Sequence, residues 1–256
     1  MAVSASTLFH FTGNLENLIN ILANEFHPRF CLEEFKDVFA GKNPPIETLE
    51  LAVPMVCFCD LPLSQTEAHL SVYGDYGIGM TKSWGQRNGI TPVLYVHRES
   101  LLISKFGQLL GQVSKENPRS DFRGELSNHL YDLACFIKPY EGNIWRRGEQ
   151  RNDIRFYDER EWRYVPVLPD DDPYRKGMPK SDFLNDRIRE AANNKLTEIS
   201  RISFEPNDIK YLIVRLEEEI VPFIREIEYI KSKYSYDDVK LVSSRVISAG
   251  QIRADF

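Results

Sequence analysis

A histidine, two tyrosines and two glutamates are the residues of this sequence best placed to do chemistry. His10 stands in Leu8-Phe9-His10-Phe11-Thr12. In an extended segment its imidazole points away from the face that Phe9 and Phe11 share, and a lone histidine in such a place is more often structural or surface than functional. Tyr73 and Tyr76 bracket Gly74-Asp75. Phenol rings beside a glycine turn can stack on a flat ring, the glycine allowing close approach; otherwise they are a helix end and an edge-strand aromatic. Glu159 and Glu161 lie in Tyr157-Asp158-Glu159-Arg160-Glu161-Trp162-Arg163. A glutamate at the mouth of a strand, braced by Trp162 and by arginines, is a candidate catalytic carboxylate. The plainer alternative is a solvated charge run, because six acids and six arginines balance between Glu141 and Arg163. That stretch concentrates arginine without lysine, which suits phosphate or carboxylate recognition. Asp60 and Ser64 follow an apolar run, where a strand end meets a helix start. Backbone donors at such a place can bind a phosphate or an amide, or the two residues only cap.

Other chemistries find no support. There is no phosphate-binding Walker loop, no GxGxxG after a strand, no HExxH and no GxSxG. His10, His27, His69, His97 and His129 have no metal-ligand spacing, so no metal site is expected, and no hydrolytic nucleophile can be paired with a histidine of its own. Cys31, Cys57, Cys59 and Cys135 make no paired CxxC. They read as buried, reduced thiols of a cytosolic protein.

The elements that must position these residues can be read from periodicity. Thr7–Phe11 is near-alternating and aromatic, a first strand ending at Gly13-Asn14. Asn14 caps a helix with Leu15, Leu18, Ile19 and Leu22 at helical spacing. A second amphipathic stretch covers roughly 31–40. Ala52–Cys59 is almost continuously apolar, so it is a central strand buried on both faces. Ser64-Gln65-Thr66-Glu67 is a capping-box pattern opening a helix that stops near Tyr73-Gly74. Tyr76–Met80 is a strand whose glycines mark a close approach to the backbone, and Pro92–His97 is another. Residues 99–135 are helical, with stripes at Leu102, Phe106, Leu109 and Leu110 and at Leu126, Leu130, Leu133 and Ala134. A short strand follows over Cys135–Pro139. Residues 141–160 are polar and read as a long loop, Glu161–Pro166 as a strand, Asp170–Lys180 as a loop and 182–196 as a helix. Ile202–Phe204 and Tyr211–Val214 are strands, Ile220–Ile230 is a helix, and Val239–Ile247 is a final strand. Strands in runs with helices between them give an α+β fold.

The chain has 256 residues, 42% hydrophobic and 27% charged, ordinary for a folded protein and unlike a disordered one. The net charge of −6 argues against a basic surface that coats nucleic acid, although a local basic patch is compatible with it. No basic leader and no run of 18 apolar residues is present, so neither a signal peptide nor a membrane span is expected. The expected location is the cytoplasm.

Several blocks occur together and in order: Leu8-Phe9-His10-Phe11-Thr12, Pro54-Met55-Val56-Cys57-Phe58-Cys59-Asp60-Leu61-Pro62-Leu63-Ser64, His69, Tyr73-Gly74-Asp75-Tyr76-Gly77-Ile78-Gly79, and Glu159-Arg160-Glu161-Trp162-Arg163-Tyr164. Over most of the chain this resembles the AbiGi family of abortive phage-infection proteins, which are labelled antitoxins. More distantly, the order resembles the ADP-ribosyltransferase fold of the His-Tyr-Glu type. That second resemblance implies NAD as substrate. His10 would hold the adenosine-side ribose, Tyr73 or Tyr76 would stack on nicotinamide, and Glu161 would act as the catalytic carboxylate. Thr12, Asp60 and Ser64 would complete the NAD-binding set. The carboxylate would stabilise an oxocarbenium-like sugar, and the stacking and ribose contacts would fix its orientation.

The expectation is therefore a single domain over 1–256, ADP-ribosyltransferase-like, with a split and mostly antiparallel sheet and a helical insertion near 99–135. Its function would be phage defence by ADP-ribosyl transfer from NAD to a macromolecule, whether RNA, DNA or protein, with a cognate toxin or antitoxin as partner and no membrane. The alternative is a non-catalytic antitoxin that binds a partner toxin. Two geometric tests follow. His10, a tyrosine and Glu161 should converge on one cleft, and the arginines from Arg146 to Arg163 should line its rim if the acceptor is nucleic acid.

Overall fold

The computed structural model describes residues 4–35, 50–115, 121–146 and 149–255. The first strand, β1 (Thr7–Thr12), runs into helix α1 (Leu15–Asn24), and the Asn14 side chain accepts from the Asn17 N–H as its N-cap. Strands β2 (Arg29–Glu34) and β3 (Glu50–Cys59) follow, paired antiparallel. The amphipathic stretch expected near 31–40 is thus a strand in its first part, and residues 36–40 lie outside the described ones. Then come α2 (Glu67–Tyr73), β4 (Tyr76–Thr81), α3 (Lys82–Arg87), β5 (Thr91–Pro92) and β6 (Leu94–Val96). The helices expected near 99–135 are α4 (Leu101–Lys115) and α5 (Asp121–Ala134), followed by β7 (Ile137–Pro139), β8 (Gly142–Arg146), β9 (Glu149–Ile154) and β10 (Glu161–Tyr164). The last third holds β11 (Met178–Pro179), α6 (Lys180–Leu184), α7 (Asp186–Ile199), β12 (Ile209–Val214), α8 (Ile220–Ile230), α9 (Tyr236–Ser243), β13 (Val246–Ser248) and α10 (Ala249–Asp255).

The fold is α+β around a 9-stranded sheet in the order β13-β12-β4-β1-β3-β10-β5, with β2 and β11 also on β3. Within this sheet β12 and β13 are parallel and the other pairs antiparallel. As its apolar run implied, β3 is central. Its first half carries β2 and β11, and its second half carries β10 and β1.

Several local expectations are corrected. Ser64 opens no α-helix. Leu63–Gln65 form a 3-10 turn, and α2 starts after Thr66, whose hydroxyl donates back to the Leu63 carbonyl at 2.7 Å. That local bond replaces the expected capping box. The strand expected over Pro92–His97 is broken, because the Val93 N–H donates to Glu161 and the Leu94 N–H to Phe136, a switch of partner within one residue. The long loop expected at 141–160 holds the β8–β9 hairpin. A ribbon that satisfies its backbone within itself needs no apolar period to announce it. Ile202 makes only an isolated bridge to Phe26. Of the strand expected at 239–247, the first part is helix α9, capped by the Ser235 hydroxyl on the Asp238 N–H, with Val239 and Val242 buried at helical spacing. The helix expected at 182–196 is divided at Asn185, whose side chain caps α7.

Gly77 and Gly79 behave as expected. A Cβ on either would stand 2.8 Å from the ring of Phe11 or Phe9 on the neighbouring strand. The aromatic rings lie over the glycines and leave no room there for a side chain.

Register assigns the faces of the sheet. Phe9 lies opposite Cys59, Cys59 opposite Glu161, and Cys57 opposite Arg163, so these five share one face. His10 therefore lies on the other, with Phe58 and its partner Trp162. The His10 face carries the largest apolar cluster, including Leu8, Phe58, Ile78, Met80 and Trp84, covered by Leu18 and Leu22 of α1, Phe223 and Ile227 of α8 and Val242 of α9. The opposite face packs Phe9, Cys59 and Ile213 under Leu70 of α2 and Ala249 and Ile252 of α10. Farther along β3 on that same face, Val53 and Met55 lie under Ile103 of α4 and Ala134 of α5.

Candidate functional site

Glu161 is the centre of a buried ion cluster. It opens β10 beside the left-handed Arg160 (φ 46°), and its backbone N–H donates to the Tyr95 hydroxyl at 2.8 Å. Its Oε1 takes the Arg163 Nε–H at 2.5 Å, and its Oε2 accepts from Lys138 Nζ at 2.7 Å and Arg163 Nη2 at 3.1 Å. Two residues on, alternation brings Arg163 to the same face, where its side chain is fully buried. Arg163 also donates to Glu33 on β2 at 2.8 Å and to the Cys135 carbonyl at the end of α5 at 2.9 Å. Lys138 of β7 holds Glu159 at 2.5 Å, and Glu159 accepts from the Tyr73 hydroxyl of α2 at 2.9 Å.

The cluster holds Glu33, Glu159 and Glu161 against Lys138 and Arg163. Burial opposes ionisation of Glu161, but Arg163 and Lys138 override it and hold its carboxyl far below the usual carboxylate range. Burial likewise pulls Lys138 down, and Glu161, Glu33 and Glu159 together push it well above its ordinary value. Glu161 is therefore a permanent anion with both oxygens engaged. Such a group cannot act as a proton donor near neutral pH. What the arrangement does is tie β2, β7, β10, α2 and the end of α5 to one charged centre. The thiols around it stay protonated. Burial, then Glu33, pushes Cys31 up to about 12, and burial, then Glu161, raises Cys57 well above its ordinary value.

His10 works differently. The β1–β3 ladder pairs Phe9 with Cys59 and goes no further, and the Cys57 carbonyl instead meets His10 Nδ1 at 2.8 Å. A carbonyl only accepts, so Nδ1 carries the proton. The ring packs edge-on to Phe26 at 5.5 Å and near Phe58 at 5.7 Å. Burial lowers its pKa, against the smaller opposing effect of the Cys57 bond. His10 is thus a neutral donor that closes the gap where the two strands part.

The other expected residues are dispersed. Thr12 accepts from the Asn17 amide at 2.9 Å. Asp60 ties down the N-terminal segment and α3, accepting from Ser4 Oγ at 2.9 Å, Ala5 N at 3.1 Å and Lys82 Nζ at 2.7 Å. Ser64 is exposed in its 3-10 turn. Tyr76 is buried on the His10 face, with its hydroxyl on Glu219 at 2.9 Å. Of the expected set the structure brings together Tyr73, Glu159 and Glu161. It does not bring His10 or Tyr76 to them. The side chains of Arg146, Arg147 and Arg151 lie outside the described residues, while Arg163 points inward rather than to a rim. Sequence reasoning missed Lys138, Glu33 and Tyr95. A single lysine inside the short apolar stretch Phe136-Ile137-Lys138-Pro139 was the only signal. Among the described residues no group of His, Cys, Asp or Glu could hold a metal ion, and no helix is long and apolar enough to cross a membrane.

Comparison with known proteins adds two findings. The family model described as "Putative abortive phage resistance protein AbiGi, antitoxin" matches residues 24–215. A protein of Lactococcus lactis subsp. cremoris named "Abortive phage resistance protein AbiGi" is 27% identical over 250 residues, spanning 90% of this chain and 99% of its own length. No solved structure matches the chain.

Proposed function

The chain belongs to the AbiGi family of abortive phage resistance proteins, and from that premise we propose that it acts as a non-catalytic antitoxin, binding and restraining a partner toxin. The observation that carries this reading is the placement of His10 and Glu161 on opposite faces of one sheet, with Glu161 closed off by Arg163 and Lys138. A transferase of the His-Tyr-Glu type needs its ribose-holding histidine and its carboxylate in one cleft, and the carboxylate must be open to the sugar whose charge it stabilises. The family's description as an antitoxin points the same way.

The second reading, NAD-dependent ADP-ribosyl transfer on an ADP-ribosyltransferase-like fold, keeps one support. Tyr73 and Glu161 share a neighbourhood through Glu159 and Lys138. Co-expression with the partner toxin separates the two. The antitoxin reading expects restored host growth, undiminished when the purified protein transfers no label from NAD to cell extract. Labelled product that disappears in Glu161→Gln would overturn it in favour of transfer.

A further inference from the structure

We propose that the outer face of α8 and α9 is the docking surface for the partner, and that the partner presents a basic, Arg- and Lys-rich protein surface to it. This rests on the antitoxin reading and names the site that would carry it.

Both helices bury one side well and leave the other uncovered. Phe223 and Ile227 of α8 and Val239 and Val242 of α9 face the core. On the outer side Tyr229 is 81% exposed, Tyr236 75% and Val221 59%. Val221 and Tyr229 stand eight residues apart, two turns along one side of α8. Tyrosines are over-represented among the residues that dominate binding energy at interfaces. Tyr236 is also held in place. The Lys240 ammonium sits 5.4 Å from its ring centre and is itself paired with Glu228 of α8 at 2.6 Å. An anchor fixed before binding loses less freedom on binding.

Charge selects the partner. Between Leu216 and Ser243 there are seven acids and four bases, of which Arg225 and Lys233 are exposed and Lys240 is paired with Glu228. Lys231 is buried, its Nζ on the Leu22 carbonyl at 2.7 Å. Glu219, Glu228 and Asp238 are engaged within the fold, on Tyr76, Lys240 and Ser235. Glu217, Glu218, Glu226 and Asp237 are exposed and make no ion pair among the described residues. A face of this kind attracts a basic protein and repels nucleic acid and a second copy of itself. The other exposed apolar strip, Leu101, Leu102 and Leu109 on α4, has no comparable charge to define an occupant.

The test is titration of the purified partner toxin against the full chain and its variants. Tyr229→Ala and Tyr236→Ala should each weaken binding at least about 10-fold. The triple variant Glu217→Gln, Glu218→Gln, Glu226→Gln should slow association about 10-fold at low salt, and raised salt should erase its difference from wild type. All sit on the surface, so melting temperatures should not move. Wild-type binding that is unaffected by these changes, or that is lost instead in Leu102→Ser, would overturn the docking site while leaving the antitoxin reading intact. A dimer of the chain alone that Tyr229→Ala makes monomeric would overturn it too. Failure of the wild type to bind any form of the toxin would sink the antitoxin reading itself.

Discussion

On one face of β1, β3 and β10 the His10 ring is half-buried against Phe26 and Phe58 and makes one bond to a carbonyl. On the other, Glu161 and Arg163 are buried as ions, with the partly exposed Glu33, Lys138 and Glu159 completing their cluster. The same strands support both because each polar group is satisfied in a way that suits its chemistry. An imidazole can shed its charge and enter an aromatic environment as a neutral donor. A guanidinium cannot be neutralised, so burying Arg163 obliges the fold to bring carboxylates to it. Glu161 is therefore better understood as the counter-ion that makes Arg163 tolerable than as a free carboxylate awaiting a substrate.

The largest expected effect comes from removing that obligation on one side only. Arg163→Met keeps much of the volume but leaves the buried Glu161, and the partly exposed Glu33 beside it, without their main cation. Breaking a buried pair in this way typically costs about 3–5 kcal/mol, so urea unfolding should show a loss of that order. The double variant Arg163→Met, Glu161→Gln should recover part of it, because the stranded charge is gone. A single variant that unfolds at the wild-type midpoint would show that the cluster is solvated rather than buried.

The His10 face should respond less. His10→Ala leaves the Cys57 carbonyl unpaired beneath aromatic rings and opens a small void, an expected loss of about 1–3 kcal/mol. His10→Gln should retain more stability if its amide reaches the same carbonyl. A loss as large as that of Arg163→Met would place His10 in the charged centre after all.

The faces should also separate by pH. The His10 pKa is lowered from 6.5 by burial, so the unfolded chain takes up that proton more readily than the folded one. Its contribution is complete above pH 6.5 and is lost as the pH falls below it. Against its burial, Glu161 is lowered from 4.5 by Arg163 and Lys138, so its contribution is complete above pH 4.5 and is lost as pH falls further. Stability measured from pH 8 to pH 3 should decline in two stages. His10→Gln should flatten the upper one and Glu161→Gln the lower. A single variant that abolishes both stages would deny the separation.

Much of this architecture was legible in the sequence, and the limits have physical causes. The continuous apolar run of β3, the aromatic alternation of β1 and the stripe of α8 are strong periodic signals, and each element stands where the pattern puts it. Short elements that switch partner, such as β5 and β6, carry too few residues to show a period. The Ser235 cap and the spacing of Val239 and Val242 did mark α9, but the apolar run beside them resembled a strand. For the site, order along the chain suggested that His10, a tyrosine and Glu161 meet. Register decides otherwise. His10 and Phe9 are neighbours on one strand, and that single step places them on opposite faces. Spacing between distant blocks cannot reveal which side of a shared strand each residue uses.

The smallest expected effect lies at the outer end of the ion cluster. Tyr73 donates to Glu159 Oε1 while Lys138 holds the other oxygen. Tyr73→Phe deletes the hydroxyl and leaves the ring, which stacks on His69 at 5.6 Å. Glu159 is partly exposed, so water can replace the lost donor, and the expected cost is about 0.5–1.5 kcal/mol. Glu159→Gln should cost a similar amount, because Lys138 keeps Glu161. The two residues touch, so a double-mutant cycle should return a coupling of at least about 0.5 kcal/mol, whereas Tyr73→Phe with His10→Gln should be additive within roughly that margin. Coupling of Tyr73 to His10 across the sheet would mean that both sense one cleft. It would restore the transferase geometry that the register of β1, β3 and β10 opposes.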